Sequence, residues 1–214
     1  MIKANNTVLK NLSAEHQMAL LELLREAQDP SCIPLLEELY KSKSKKVRDE
    51  VVYVADKIYD DPRADDFILH IALHDKNIRN RGLAVFSLGL RDKKYVKPLS
   101  KLALDKNQPA FIRDNAADAL GDQFEFSKNP LRASGIKVLE KCLEDSNADV
   151  RWTACFSLGK LKSRSSVAAL RKLAKTDKGK SQYGSVAKQA ECAANFIVGK
   201  SDILDERDLA GTNE

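Results

Sequence analysis

Hydrophobic residues recur along the chain at i, i+3 and i+4, as in Leu99, Leu102 and Ala103 or Leu139, Cys142 and Leu143. That period puts them on one face of a helix. Five such amphipathic stretches, 35–40, 67–73, 96–104, 136–143 and 167–174, are each followed by a segment rich in small residues. These second segments are copies of one another. Arg81-Gly-Leu-Ala-Val-Phe-Ser-Leu-Gly89 and Arg151-Trp-Thr-Ala-Cys-Phe-Ser-Leu-Gly159 match at Arg, Ala, Phe, Ser, Leu and Gly, and Arg113-Asp-Asn-Ala-Ala-Asp-Ala-Leu-Gly121 is a third copy. Degenerate copies lie at 48–56 and 191–199, the latter without the Arg, and successive starts are 33, 32, 38 and 40 residues apart. The pattern predicts repeated helix pairs. The turns Asp75-Lys-Asn77, Asp105-Lys-Asn107 and Asp145-Ser-Asn147 supply short polar side chains suited to ending one helix and capping the next. The glycines that close the copies suit the left-handed position after a helix. A further helix over 14–27, with Ser13 as N-cap, is expected to cover the first repeat, because stacked repeats need a cap.

Taken together, Asp-x-Asn followed by Val/Ile-Arg-x-x-Ala-x-x-x-Leu-Gly resembles the short HEAT-like repeat of phycobilisome-lyase-type proteins, over residues 30–199. The tetratricopeptide and ankyrin signatures are missing. The resemblance implies an all-α fold: a right-handed α-solenoid of about five HEAT-like helix pairs, with first helices convex and second helices lining a concave groove. The expected organisation is a capping helix in 1–29, the repeat array in 30–199 and an acidic tail in 200–214.

Numbering each motif from its Arg as zero, positions +3 and +7 hold Ala84 and Leu88, Ala116 and Leu120, Ala154 and Leu158, and Ala194 and Val198, expected as inter-helix core. Arg48, Arg81, Arg113 and Arg151 recur beside the acidic turns of Asp75, Asp105 and Asp145. They form either a structural ladder tying turns to helices or a cation row for phosphate or carboxylate. Position +5 is Tyr53, Phe86, Asp118, Phe156 or Phe196, while +1 includes Asp49, Asp114 and Trp152. Aromatic rings in a groove are partner anchors if exposed, and ordinary core if neighbouring helices bury them.

Composition narrows the function. Charged residues are 31% of the chain, 36 basic against 31 acidic, so the surface is mixed and unlike that of a histone-like binder. Charge is nevertheless uneven: residues 151–189 carry ten Lys or Arg against Asp177, whereas 190–214 carry six acids against Lys200 and Arg207. Arg151, Lys160, Lys162 and Arg164 are therefore candidates to orient an acidic partner or nucleic acid, unless the tail folds back over them. The insertion 122–130 brings Phe124 and Phe126 as contact candidates or a plug. Cys32, Cys142, Cys155 and Cys192 are scattered and read as core. Asp66, His70 and His74 have metal-compatible spacing but align with polar outward positions. No apolar run approaches the ~18 residues of a membrane span, and a cytoplasmic location is expected.

No nucleophile elbow, phosphate-binding glycine loop or His-Glu-x-x-His occurs. The His-Glu dyads of the HEAT-like deoxyhypusine hydroxylases are also missing. The expectation is a non-enzymatic protein-binding solenoid, without cofactor or metal, acting as an adaptor, assembly factor or inhibitor of the immunity type. Its groove would grip a partner protein through Tyr53, Phe86, Trp152, Phe156 and Phe196. The alternatives are a nucleic-acid binder or glycosylase-like repair protein, and a phycobilin-lyase-like subunit.

Overall fold

The computed structural model describes residues 9, 11–59, 61–91, 95–124, 131–205 and 207. Among these it forms α-helices joined by short turns. In order they are α1 Ala14–Ala27, α2 Ile33–Leu39, α3 Lys45–Asp56, α4 Pro62–His74, α5 Ile78–Gly89, α6 Val96–Leu104, α7 Ala110–Phe124, α8 Arg132–Cys142, α9 Ala148–Lys160, α10 Val167–Thr176 and α11 Val186–Ile197. Side-chain caps start several of them. Ser13 Oγ accepts from the His16 N–H at α1, and Asn77 and Asn147 cap α5 and α9 in the same way. The preceding turns close locally: Asp75, Asp105 and Asp145 each accept the N–H two residues on, at 2.6, 2.9 and 2.9 Å.

Two compact units result, Met1–Arg91 and Asp92–Glu214. In the first, the pairs are α2 with α3 and α4 with α5; α2 packs on α4, α3 on α5, and α1 on α3. In the second, the pairs are α6 with α7, α8 with α9 and α10 with α11; α6 packs on α8, and α9 lies between α7 and α11. Each unit therefore has a layer of first helices and a layer of second helices, the all-α solenoid type expected from the repeat. The small residues at +3 let the layers approach closely: Ala84, Ala116 and Ala154 are fully buried, with Leu88, Leu120 and Leu158 beside them at +7. Val198 departs from this pattern. It lies just past the end of α11 and is exposed.

The glycines also depart from expectation. Gly89, Gly121 and Gly159 remain helical, and the left-handed position after α9 is taken by Lys162, at φ 47°. At Gly121 and Gly159 the service is close approach: a methyl group at Gly121 would sit 2.8 Å from Ser157 Cβ, and one at Gly159 would overlap Leu204 and crowd Ala193. Only Gly199, at φ 72°, ends a motif in the left-handed region. All four cysteines are free thiols in buried positions, and burial pushes Cys142 up to about 12.

Candidate functional site

Positions +1, +5 and +9 fall on one strip of each second helix through their i, i+4 spacing. In the first unit this strip carries Asp49 and Tyr53 on α3, and Gly82 and Phe86 on α5, with Leu90 just beyond. Tyr53 is 53% exposed and Phe86 40%, with Leu90 more open than Phe86. Asp49 beside them is held by Lys45 at 2.5 Å and by the amides of Asn77 and Asn80 at 3.0 and 2.9 Å. Burial alone would raise its carboxyl, but these donors hold it below the ordinary value.

In the second unit the same strip is acidic on one helix and aromatic on the next: Asp114, Asp118 and Asp122 on α7 run beside Trp152, Phe156 and Lys160 on α9. Trp152 stacks on Phe156, ring centroids 5.7 Å apart and planes 15° from parallel. Tyr183, from the loop between α10 and α11, lies 5.0 Å from the indole and donates its hydroxyl to Asp114 Oδ2 at 2.7 Å. Burial raises the Asp114 carboxyl, against the hydroxyls of Thr153 and Tyr183 beside it, and Oδ1 is buried with no hydrogen-bond partner among the described residues. Burial, with Asp122 and Asp114 adding to it and Lys160 opposing, raises Asp118 to about 6.

The structure thus corrects the expectation of an uncovered ring at Trp152, which is only 3% exposed. Among its covers are Phe156, Tyr183 and a residue beyond the last helix, Arg207, whose guanidinium carbon lies 5.2 Å over the indole. Residues 201–205 lead there along α9 and α11, with Leu204 against Gly159 and its carbonyl bonded by Gln189 Nε2 at 2.9 Å. Phe156 and Phe196 are half-buried, beneath Lys160 and Lys162 respectively. The α7 carboxylates were visible in the sequence as motif positions. Tyr183 and Arg207 were not, because they lie outside the repeat register.

Arg113 and Arg151 combine local carbonyl caps, on Gln108 and on Asp145 and Ser146, with a carboxylate tie. Arg113 reaches forward one repeat to Asp145, with Nε and Nη2 at 2.9 and 2.8 Å, both side chains nearly or fully buried. Arg151 does the same to Asp177 at 2.7 and 3.1 Å. Arg48 donates to the carbonyls of Ser42 and Lys43, and Arg81 to that of Ala72. Asp75 binds the Tyr40 hydroxyl at 2.5 Å and Asn80, and Asp105 binds Gln108. Burial would raise Asp145, but hydrogen bonds from Arg113 and Lys106 hold it well below the usual carboxylate range.

Arg151 and Lys160 are thus engaged with Asp177 and Asp122, while Lys162 and Arg164 reach the surface. The other exposed cations of this stretch, Arg171, Lys172, Lys175, Lys178, Lys180 and Lys188, lie on α10, the loop after it and the start of α11. His70 and His74 have exposed rings 5.0 Å apart. Phe126 and the Phe124 side chain, and residues 206 and 208–214 of the acidic tail, lie outside the described residues.

Comparison with known proteins gives a consistent class. HEAT repeats match at residues 6–89 and 136–183, more than half of the chain. No curated protein matches. The complex of CpcE and CpcF of phycocyanin lyase from Nostoc sp. PCC7120 shares the fold at a TM-score of 0.59 and 16% identity, over 79% of this chain and 99% of that one. An engineered protein shares it at a TM-score of 0.54 and 20% identity, over 92% and 96%. The first of these likenesses overturns the expectation of a non-enzyme, because the solenoid is found in a lyase and missing nucleophile motifs therefore do not class the chain. Repeat pattern, two-layer packing and family match converge: the chain belongs to the HEAT-repeat family.

Proposed function

We propose that this HEAT-repeat chain binds a partner protein on its second-helix layer, as an adaptor, assembly factor or inhibitor. The observation that carries this reading is the open strip of the first unit, where Tyr53 and Phe86 occupy equivalent positions on packed neighbouring helices and both stay exposed. Rings of this kind, rimmed by charge, are what interface cores are made of. Lys162 and Arg164 are proposed to orient the partner, and the α10 cations suit an acidic one.

The test is crosslinking and co-purification from the native host with the full chain and with Tyr53→Ala plus Phe86→Ala. One specific protein recovered with the wild type and lost with the double variant supports the reading. Equal recovery with both removes it.

The likeness to the phycocyanin lyase complex favours a second reading, a lyase-like role on a tetrapyrrole. Addition of the pigment with its acceptor protein then yields a new visible absorption band, and an unchanged spectrum counts against it.

A further inference from the structure

The second unit shows what its strip is built to hold. Its indole stacks on Phe156 of its own repeat, meets the tilted ring of Tyr183 from the following loop, and lies under a guanidinium from a segment that belongs to no repeat. Guanidinium is well matched to such a place. It is planar, weakly hydrated and stacks on aromatic faces, and its N–H fork suits carboxylates. The carboxylates are there: Asp118 has no hydrogen-bond donor among the described residues, and Asp114 keeps one buried oxygen unbonded. Asp114, Asp118 and Asp122 follow one another at i, i+4 along α7, the helix packed beside the one that carries Trp152 and Phe156. Of the nearby cations, Lys160 is committed to Asp122 and lies over Phe156. Arg207 bonds its own neighbour Asp205, and its side chain is 57% exposed. It covers the indole without filling the acidic row.

We propose that the second-helix strip of the Asp92–Glu214 unit is a receptor for an arginine-bearing segment of a partner protein, and that Arg207 occupies its aromatic end until that segment displaces it. The proposal rests on the protein-binding reading and adds the chemistry of the partner. It assigns Trp152 and Phe156 to stacking, Asp118 and Asp114 to pairing with the incoming guanidinium, and Arg207 to the role of internal competitor. Such a competitor lowers the apparent affinity by the fraction of time the site is filled.

Trp152 is the single tryptophan, so its emission reports the site directly. The experiment titrates the full chain at low salt with an acetyl-capped Gly-Arg repeat peptide. The matching Gly-Lys and Gly-Glu peptides serve as controls. Because Arg207 is exposed, Arg207→Ala leaves the packing of Leu204 and the helices in place.

In that variant the indole is expected to emit further to the red and to quench more readily with acrylamide. The arginine peptide is expected to bind about tenfold more tightly than to wild type. Adding Asp118→Asn is expected to weaken it again by about tenfold. Unchanged Trp152 emission in Arg207→Ala, no arginine-peptide binding to it, equally tight lysine-peptide binding, or indifference to Asp118→Asn would each overturn the proposal. Should any of these occur while Tyr53→Ala plus Phe86→Ala still abolishes partner capture, the arginine receptor fails alone. Loss of neither peptide binding nor capture on the Tyr53 and Phe86 changes would instead remove the general reading and keep the receptor.

Discussion

The two units spell one motif and use it differently. In the Met1–Arg91 unit Arg48 and Arg81 donate to backbone carbonyls, Asp49 and Asp75 accept from Lys45, from amides and from a tyrosine hydroxyl, and the position +5 rings are exposed. In the Asp92–Glu214 unit Arg113 and Arg151 also donate to local carbonyls, of Gln108 and of Asp145 and Ser146, and in addition reach forward to buried carboxylates of the next repeat, while a loop and a trailing segment close over Trp152. Arg113 and Arg151 thus add an inter-repeat tie to the local cap that Arg48 makes at the same register position. The tie forms where the following turn offers its carboxylate to the arginine. Asp145 and Asp177 do so, whereas Asp75 is already bound by Tyr40 and Asn80.

The largest expected effect breaks that contrast directly. Arg113→Ala removes one half of a buried pair and leaves Asp145 with the exposed Lys106 and a backbone N–H, at a cost of about 3–5 kcal/mol. Arg48→Ala removes hydrogen bonds to two partly solvated carbonyls and costs about 1 kcal/mol. Urea unfolding of the two variants measures the difference. Equal losses would mean that the forward tie adds nothing beyond the local cap. The sign with pH follows from Asp145: its folded carboxyl is depressed, so its contribution is present above the unfolded value of about 3.9 and fades as pH falls toward the folded one. The gap between wild type and Arg113→Ala therefore narrows below about pH 4.

Much of this architecture was legible in the sequence because it is periodic. Helix pairs, the Ser13 and Asn caps, the aspartate turns and the Ala and Leu core at +3 and +7 each follow from a local rule repeated several times. The site was legible only in part. Exposure at Tyr53 against burial at Trp152 depends on Tyr183 and Arg207, 31 and 55 residues downstream of Trp152 in segments without the repeat pattern. The direction of the arginine ties likewise depends on which turn carboxylate other side chains have already taken. The closing glycines misled for a different reason. Composition alone does not distinguish a glycine that ends a helix from one that lets two helices touch, and Gly121 and Gly159 do the second.

A middle-sized effect sharpens the comparison on the second unit. With its carboxyl raised to about 6, Asp118 binds a proton more tightly folded than unfolded. Below about pH 4 both states are protonated and the site costs nothing. Between there and pH 6 the folded state loses ground as pH rises, and above that the penalty is constant. Asp118→Asn is therefore expected to stabilise at pH 7.5 by about 1–2 kcal/mol, less than the full shift implies because the carboxylate is partly solvated. The melting temperature rises by about 3–6 °C. At pH 4 the two proteins melt together. A wild type as stable as the variant at pH 7.5 would mean that Asp118 is better solvated than its surroundings suggest. Asp49, the carboxylate held by donors in the first unit, has the opposite sign: Asp49→Asn destabilises at neutral pH.

The smallest effect on stability is the one with the most to say about use. Tyr53 is more than half exposed, so Tyr53→Ala is expected to change stability by no more than about 0.5 kcal/mol. Truncating Trp152, enclosed by two rings and a guanidinium, costs about 3–5 kcal/mol. If Tyr53 were a structural element whose cover is simply thinner, its removal would cost stability in proportion to the contact it has. An exposed aromatic kept for binding behaves otherwise, with stability unmoved while partner capture falls. Thermal melts of Tyr53→Ala beside the capture assay separate the two. A melt shifted down by more than about 4 °C would place the ring in the fold's own packing and withdraw it from the proposed interface.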